Sequence, residues 1–487
     1  MPALTLFALA LIGQSSTPQV KMQGPDDPPV TTSKRAMLGG AAVDYTATFG
    51  LMPLRDDQGA IEARMSFASY NKTGADVTTR PLIFCYNGGP GSATLWLHIG
   101  TVGPRRVAMN DDGTMPKPPF KLVDNEDTWL RDADIVLIDA PNTGVGRIAK
   151  PEFGSRFFGM RQDIQAFTRF IRNYLTQYDR WRSPIYLAGE SYGGVRTAGL
   201  AKSLYDDGIA INGAIVVSGL MNYGTVRTGP GNDVPYVGFF PTFAQTAWYH
   251  KKLSPTWQAR SVEDVAKAAE AFASGPYQQA LFKGDVIPAG EKKTIAARYA
   301  ELTGLSTEYV MQANLRVNEG RFFKELLRDR GTTIGRFDSR ILGQDKDDAG
   351  EGSEYDPSDA TIEAPFSSTI VDLLTRELNY RSETPYKTWG DIGRWENPQG
   401  TYADTSENLR QAMSRNPHFR ILFAVGRYDM ACPYFATRYN VEHMGLRPEQ
   451  AKRVEWTYYP AGHMMYIEKA SREQLTRDVS DFIRRTH

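Results

Sequence analysis

The sequence predicts an α/β architecture: a mostly parallel central sheet with helices on both faces, into which a mainly helical cap is inserted. Three observations predict it. Short, fully apolar runs alternate with stretches of helical periodicity, the pattern of parallel strands buried on both faces. That strand signal stops near residue 222 and returns only at 420, and the two late strands are too few to form a sheet alone. Between one strand and the next helix stands "LAGESYGG" (187–194), where a serine is set between glycines at a sharp turn.

In chain order, the first 20 residues hold an apolar run from Leu4 to Ile12, too short to cross a bilayer but suited to a signal-peptide core, although no Lys or Arg precedes it. Residues 1–20 are read as a leader for export, and residues 21–42, polar and rich in Pro and Gly, as a linker. "VDYTATFGLMPL" and "IEARMSFASYN" alternate apolar and polar residues, as the strands of an antiparallel hairpin do. "PLIFCY" (81–86), "DIVLID" (134–139), "PIYLA" (184–188) and "GAIVVSG" (213–219) follow as buried strands. Ile164, Phe167, Ile171, Tyr174 and Leu175 recur at helical spacing, and a second helix runs from Val195 to Tyr205. Residues 43–222 are thus the first part of the core. Residues 223–404 are the inserted cap, with a helical "EGRFFKELLRDR" (319–330) and an acidic loop "DKDDAGEGSEYD" (345–356). Residues 405–487 complete the core with "RILFAV" (420–425), "RVEWTY" (453–458) and a terminal helix carrying Leu475, Val479, Phe482 and Ile483 on one face.

With 23% charged and 41% hydrophobic residues, the 487-residue chain has the composition of an ordinary globular protein. Its 56 basic residues balance 56 acidic ones, so there is no electrostatic footprint for nucleic acid or an anionic membrane. A peptide or small molecule is the better substrate class. Cys85 and Cys432 are too few for a disulfide framework; one bridge and two free thiols both fit.

Ser191 sits at the strand-to-helix turn, where Gly189 and Gly193 permit close backbone approach and the hydroxyl is lifted clear of the sheet. A serine hydroxyl needs a base to take its proton and a carboxylate to orient that base, and in this layout both follow later strands. Asp429 in "AVGRYDMACPY" and His463 in "YYPAGHMMY" fall after the two late strands. His98 and His250 come before those strands, His418 precedes the strand bearing Asp429, and His487 is at the tail; His443 is the rival base, on the intervening helix. Acyl transfer also needs amides aimed at the developing oxyanion. "CYNGGPGSATLWLHIGTVGPRRV" (85–107) supplies close-approach glycines at a strand end, and it is not a phosphate loop, since no Gly-Lys-Ser/Thr follows and Pro90 lacks an amide hydrogen.

"NGGPGS" followed by "GP", "DAPNTGVG" (139–146), "GESYGG", "GRYDMAC" and "AGHMMY", in that order, closely resemble the serine carboxypeptidases of the α/β-hydrolase superfamily, from about residue 40 to 487, and "PTFAQTAWYHKKL" (241–253) is similar to a cap element of bacterial members. The resemblance implies Ser191 as nucleophile, His463 as general base, Asp429 as its orienting partner, and the Gly89 and Tyr192 amides as the oxyanion hole. It implies that Asn87 and Glu190 hold the free carboxylate of a peptide's C-terminus, with Glu190 protonated so that it can donate a hydrogen bond. No metal or organic cofactor is implied, no nucleic acid and no stable membrane span; the oligomeric state is left open. Two positions depart from the family pattern. Thr101 stands where many members carry a second glutamate that shares a proton with the first, and Ser92 where many carry a disulfide-bonded cysteine. Cys432 matches a family cysteine near the substrate's side chain, so Cys432 and Thr101 are candidate pocket residues, with Tyr236, Phe240, Trp248 and Tyr249 as candidates from the cap. A carboxypeptidase working through an acyl-enzyme is the expected function. Acyl transfer to an alcohol and a catalytically silent binding protein are the alternatives.

Overall fold

The computed structural model of the chain describes residues 21–38, 40–397 and 401–487; the leader expected at residues 1–20 lies outside the described residues. Nine strands run through one sheet: β1 (Val30–Leu38), β2 (Ala41–Arg55), β3 (Ile61–Lys72), β4 (Leu82–Tyr86), β5 (Asp134–Ile138), β6 (Ile185–Glu190), β7 (Gly213–Val217), β8 (Arg420–Gly426) and β9 (Val454–Tyr459). Their order across the sheet is β1-β2-β3-β5-β4-β6-β7-β8-β9, and a two-residue strand, Arg147–Ile148, pairs antiparallel with β3 off this path. From β5 to β9 every pairing is parallel, while β1, β2 and β3 form an antiparallel extension.

The apolar runs become central strands because both of their faces are covered. In β4, Ile83 and Cys85 enter the core on one side, and Leu82, Phe84 and Tyr86 the core on the other. The same alternation puts Ile135 and Leu137 of β5 opposite Val136 and Ile138. Large side chains buried this way contribute about 1.5–3 kcal/mol each. One face is closed by α1 (Met160–Gln177) and α2 (Gly193–Asp206), whose Phe167, Phe170, Ile171, Val195 and Leu200 are fully buried.

Residues 30–38 differ from the linker expected over 21–42. They form β1, paired along its length with β2. Only Ala36 and Leu38 are buried in it, so this polar edge strand lacks the apolar alternation by which strands are recognised.

Between β7 and β8 the chain builds a third core around α3 (Val234–Tyr249). Phe243 stacks on Phe322 at 4.0 Å, and Phe240 meets Tyr299 edge-on at 4.7 Å. α4 (Pro357–Asp372) runs along the catalytic face, with Phe366 against Trp96 at 5.3 Å. The insertion is seated on the core through α5 (Tyr434–Glu442), where a Cβ on Gly238 of α3 would come within 3.0 Å of Ala436. α6 (Lys469–Thr486) closes the chain against the sheet, with Leu475, Val479, Phe482 and Ile483 buried. Among the described residues no helix is long and apolar enough to cross a membrane.

Candidate active site

Ser191 lies between the end of β6 and the start of α2, with a left-handed φ of 60°. This conformation is strained for a non-glycine residue and is held by the packing around it. A Cβ on Gly189 would stand 2.3 Å from the Gly193 carbonyl oxygen, and one on Gly194 would stand 2.5 Å from that of Leu220. Those two glycines are what the turn requires. At Gly193, the second glycine expected to matter, the nearest atom would be 3.2 Å away.

Asp429 and His463 come from the loops after β8 and β9, which pack backbone on backbone: a Cβ on Gly426 would meet the Gly462 carbonyl oxygen at 2.1 Å. His463 Nδ1 and Asp429 Oδ2 are 2.8 Å apart, and both residues are buried. The other oxygen of Asp429 accepts the amides of Ala431 at 2.7 Å and Cys432 at 2.9 Å, so the carboxylate is fixed from both sides. The Phe337 ring stacks on His463 at 5.1 Å, and the His463 amide donates to the Phe337 carbonyl at 2.6 Å. Burial opposes charge on His463, but the Asp429 charge and hydrogen bond, helped by Glu190, outweigh it and raise the imidazole above its ordinary value. With Nδ1 committed to Asp429, Nε2 is the nitrogen left for substrate chemistry. Ser191 and His463 line the same cleft.

The loop after β4 brings Gly88 against this turn, where a Cβ would stand 2.4 Å from the Tyr192 nitrogen. Gly89 lines the cleft, and neither its amide nor that of Tyr192 is spent on a loop or turn hydrogen bond. Having no disulfide at Ser92, the loop is tied down by other means. The Thr94 amide donates to Asp139 at 2.8 Å, the Trp96 indole to the Ser92 hydroxyl at 2.9 Å, and the Gly390 amide to the Gly91 carbonyl at 2.8 Å. Beneath it, Arg196 of α2 pairs with buried Asp163 through two hydrogen bonds of 2.8 and 3.0 Å and donates to the Asn87 carbonyl. Cys85 and Cys432 are free, buried thiols.

Glu190, next to the serine, is 3% exposed, and burial pushes its carboxyl up to about 7 against the opposing effects of His463, Tyr466 and Asn87. The Tyr466 hydroxyl donates to its Oε2 at 2.7 Å. Asn87 accepts the Leu97 amide on Oδ1 at 3.0 Å, which turns its NH2 toward Glu190 and Tyr466, both of which it influences. Tyr466 was missed by sequence reasoning. The available signal was its place three residues after His463 in the "AGHMMY" motif.

Other predicted positions fall elsewhere. Thr101 is fully buried, its hydroxyl has no partner, and it is not part of the cleft lining. The group beside Glu190 is the Tyr466 hydroxyl instead, and the Tyr466 ring lies where a Cβ on neighbouring Gly100 would meet it at 2.4 Å. Tyr236, Phe240, Trp248 and Tyr249 do not line the cleft; its aromatic walls are Trp96, Phe337 and Trp389. Phe240 belongs instead to the cap's own core, Tyr236 and Trp248 pack against that core, and Tyr249 is exposed. Cys432 is not part of the cleft lining either, but its thiol lies within 4.8 Å of the His463 and Asp429 ligand atoms and beside the Ser191 hydroxyl. His443 stacks on Tyr439 at 3.7 Å, and His98 is buried against the Tyr70 hydroxyl at 2.6 Å; neither lines the cleft.

Fold and site together define an α/β-hydrolase whose elbow serine shares a cleft with a histidine–aspartate pair. The family model for serine carboxypeptidase matches residues 56–272, a little under half of the chain. The match takes in Asn87, Gly89, Glu190, Ser191 and Tyr192 and ends before Asp429 and His463. The pheromone-processing carboxypeptidase KEX1 of Saccharomyces cerevisiae is 29% identical over 164 residues, which are 30% of this chain and 20% of that protein. Serine carboxypeptidase-like 36 of Arabidopsis thaliana is 29% identical over 118 residues, 24% of this chain and 22% of that one. The chain thus matches about a fifth of the length of these curated relatives. The crystal structure of the yeast prohormone-processing carboxypeptidase KEX1(delta)p superposes with a TM-score of 0.55 at 16% identity, over 90% of this chain and 91% of that one, a likeness of fold.

Proposed function

We propose that this protein is an exported serine-type carboxypeptidase that removes residues one at a time from peptide C-termini through an acyl-enzyme, without a cofactor. His463 takes the Ser191 proton as Oγ attacks the last peptide carbonyl. The oxyanion rests on the Gly89 and Tyr192 amides, and His463 hands its proton to the leaving amine. Water then repeats the sequence on the ester. Asp429 holds the imidazole in the required tautomer and supports its charge.

The observation that carries the choice of an exopeptidase is Glu190. A buried carboxyl kept neutral up to about 7 beside the nucleophile donates a hydrogen bond to a carboxylate, and once ionised it repels one. With Tyr466 donating to Oε2, the other oxygen of Glu190 is left to carry the proton toward the substrate. Burial alone stands in for the second glutamate, since the Tyr466 hydroxyl acts in the opposite direction.

The test is mass spectrometry of N-blocked dipeptides and their C-terminal amides after incubation from pH 4 to 8, with wild type beside Ser191→Ala. Loss of one residue from the free acids, abolished by the alanine, is the expected result. Equal cleavage of the amides would contradict carboxylate selection, and acyl transfer to alcohols without hydrolysis would replace the peptidase reading by a transferase.

A further inference from the structure

Arg336 stands in the wall of the catalytic cleft without a counter-ion. It lines the same cavity as Ser191 and His463, and among the described residues no carboxylate lies within ion-pair distance of its guanidinium. It lies over the face of Phe337, 5.1 Å from the ring centroid. Most other arginines of the interior are committed: Arg196 to Asp163, Arg180 to Asp134, and Arg340 to Asp338 and Glu468. A partly buried guanidinium left unpaired at a substrate cavity is an anion receptor with its donors open.

The backbone beneath it is rigid. The Arg336 amide donates to Asp356 at 3.0 Å, and its carbonyl accepts the Met430 amide at 3.0 Å, next to Asp429. The following residue, Phe337, receives the His463 amide. The guanidinium is thus carried by a segment hydrogen-bonded to both loops of the histidine–aspartate pair.

Its neighbours tell which side of the scissile bond it serves. The charge of Arg336 acts on His463, Cys432, Tyr223 and Asp359, and the Cys432 thiol and Tyr223 hydroxyl lie beside the Ser191 hydroxyl. The groups acting on Glu190 are His463, Tyr466, Asn87 and Asp429. A peptide whose terminal carboxylate lies at Asn87 and Glu190 therefore points the side chain of its penultimate residue, the one that becomes the acyl group, toward Arg336. Resting on the carboxypeptidase reading of the site, we infer that Arg336 makes the enzyme selective for peptides with an acidic residue, glutamate or aspartate, in the penultimate position.

Asp359 of α4 lines the same cavity. Burial, with Asp356 and Glu363 adding to it, pushes its carboxyl up to about 6 against the opposing charge of Arg336, so in acid it is largely neutral and leaves the guanidinium to the substrate.

The experiment compares kcat/KM for N-blocked dipeptide acids with Glu, Gln, Ala or Lys in the penultimate position and one constant C-terminal residue, at pH 5.5. A Glu-to-Gln ratio of about tenfold or more is expected in wild type. It should fall to about one in Arg336→Ala, survive in part in Arg336→Lys, and give way to a preference for Lys in Arg336→Glu. Circular dichroism on each variant establishes that it is folded. If wild type cleaves the Ala and Gln peptides but takes Glu no faster than Gln, or if the ratio persists in Arg336→Ala, the inference is overturned and the carboxypeptidase reading stands. If no dipeptide acid is cleaved, both fall together.

Discussion

The two ends of the cleft bury ionisable groups equally deeply and use burial in opposite ways. At one end His463 is buried against Asp429, and the neighbouring negative charge overcomes desolvation, so that positive charge on the imidazole is supported. At the other end Glu190 is buried beside Tyr466 and Asn87, and desolvation prevails over the charge of His463 and over those two hydrogen bonds, so that its carboxyl stays neutral up to about 7. Burial alone fixes neither outcome; the charge of the nearest partner does. In the proposed mechanism, one end forms a charge during the reaction and the other withholds one until the substrate brings its own.

Removing the partner charge at the first end should have the largest effect. Asp429→Asn leaves the shape of the site in place but withdraws support from the imidazolium and disturbs its tautomer, and kcat should fall by on the order of 10⁴ in steady-state assays with unchanged circular dichroism. Next comes the strut both ends share. Arg196 is fully buried and joins Asp163 of α1 to the Asn87 carbonyl, so Arg196→Ala strands a buried carboxylate and should cost about 3–5 kcal/mol of stability, read by urea unfolding. At the second end Glu190→Ala should lower kcat/KM for free acids by about 100-fold while affecting amides far less, since it removes one charge-assisted hydrogen bond. The smallest change is expected from Tyr466→Phe. The tyrosine donor stabilises the ionised form of Glu190, so its loss raises the carboxyl further. The alkaline limb of the free-acid profile should then move to higher pH, with less than about tenfold loss of kcat/KM at pH 5.5.

The nucleophile end was legible in the sequence, whereas the carboxylate end was legible only in part. Ser191 was marked by glycines whose spacing a strand-to-helix turn imposes, and Asp429 and His463 were found because each follows a late strand in the order the fold requires. Such signals are local and backbone-driven. Tyr466 acts on a glutamate 276 residues away, and a tyrosine in a buried segment reads as core whichever group its hydroxyl meets. Arg336 and Phe337 come from the insertion, where no periodic pattern separates a residue facing the cleft from one facing solvent. The aromatic residues of α3 are candidates for the pocket in the sequence, but an insertion of this size needs a core of its own, which Phe240 fills and Tyr236 and Trp248 pack against, while Tyr249 stays exposed. β1 escaped notice for the opposite reason, since a polar edge strand is nearly all surface.

The most direct test follows kcat/KM for one N-blocked dipeptide and its C-terminal amide side by side from pH 4 to 9. With Glu190 withholding its charge up to about 7, the acid-to-amide ratio should be high and level in acid and should fall as pH rises through about 7, because the newly ionised Glu190 repels a carboxylate but not an amide. The fall should be absent in Glu190→Gln. A ratio that stays constant across that range in wild type would contradict the account, for it would mean that the buried carboxyl beside Ser191 plays no part in recognising the end of the chain.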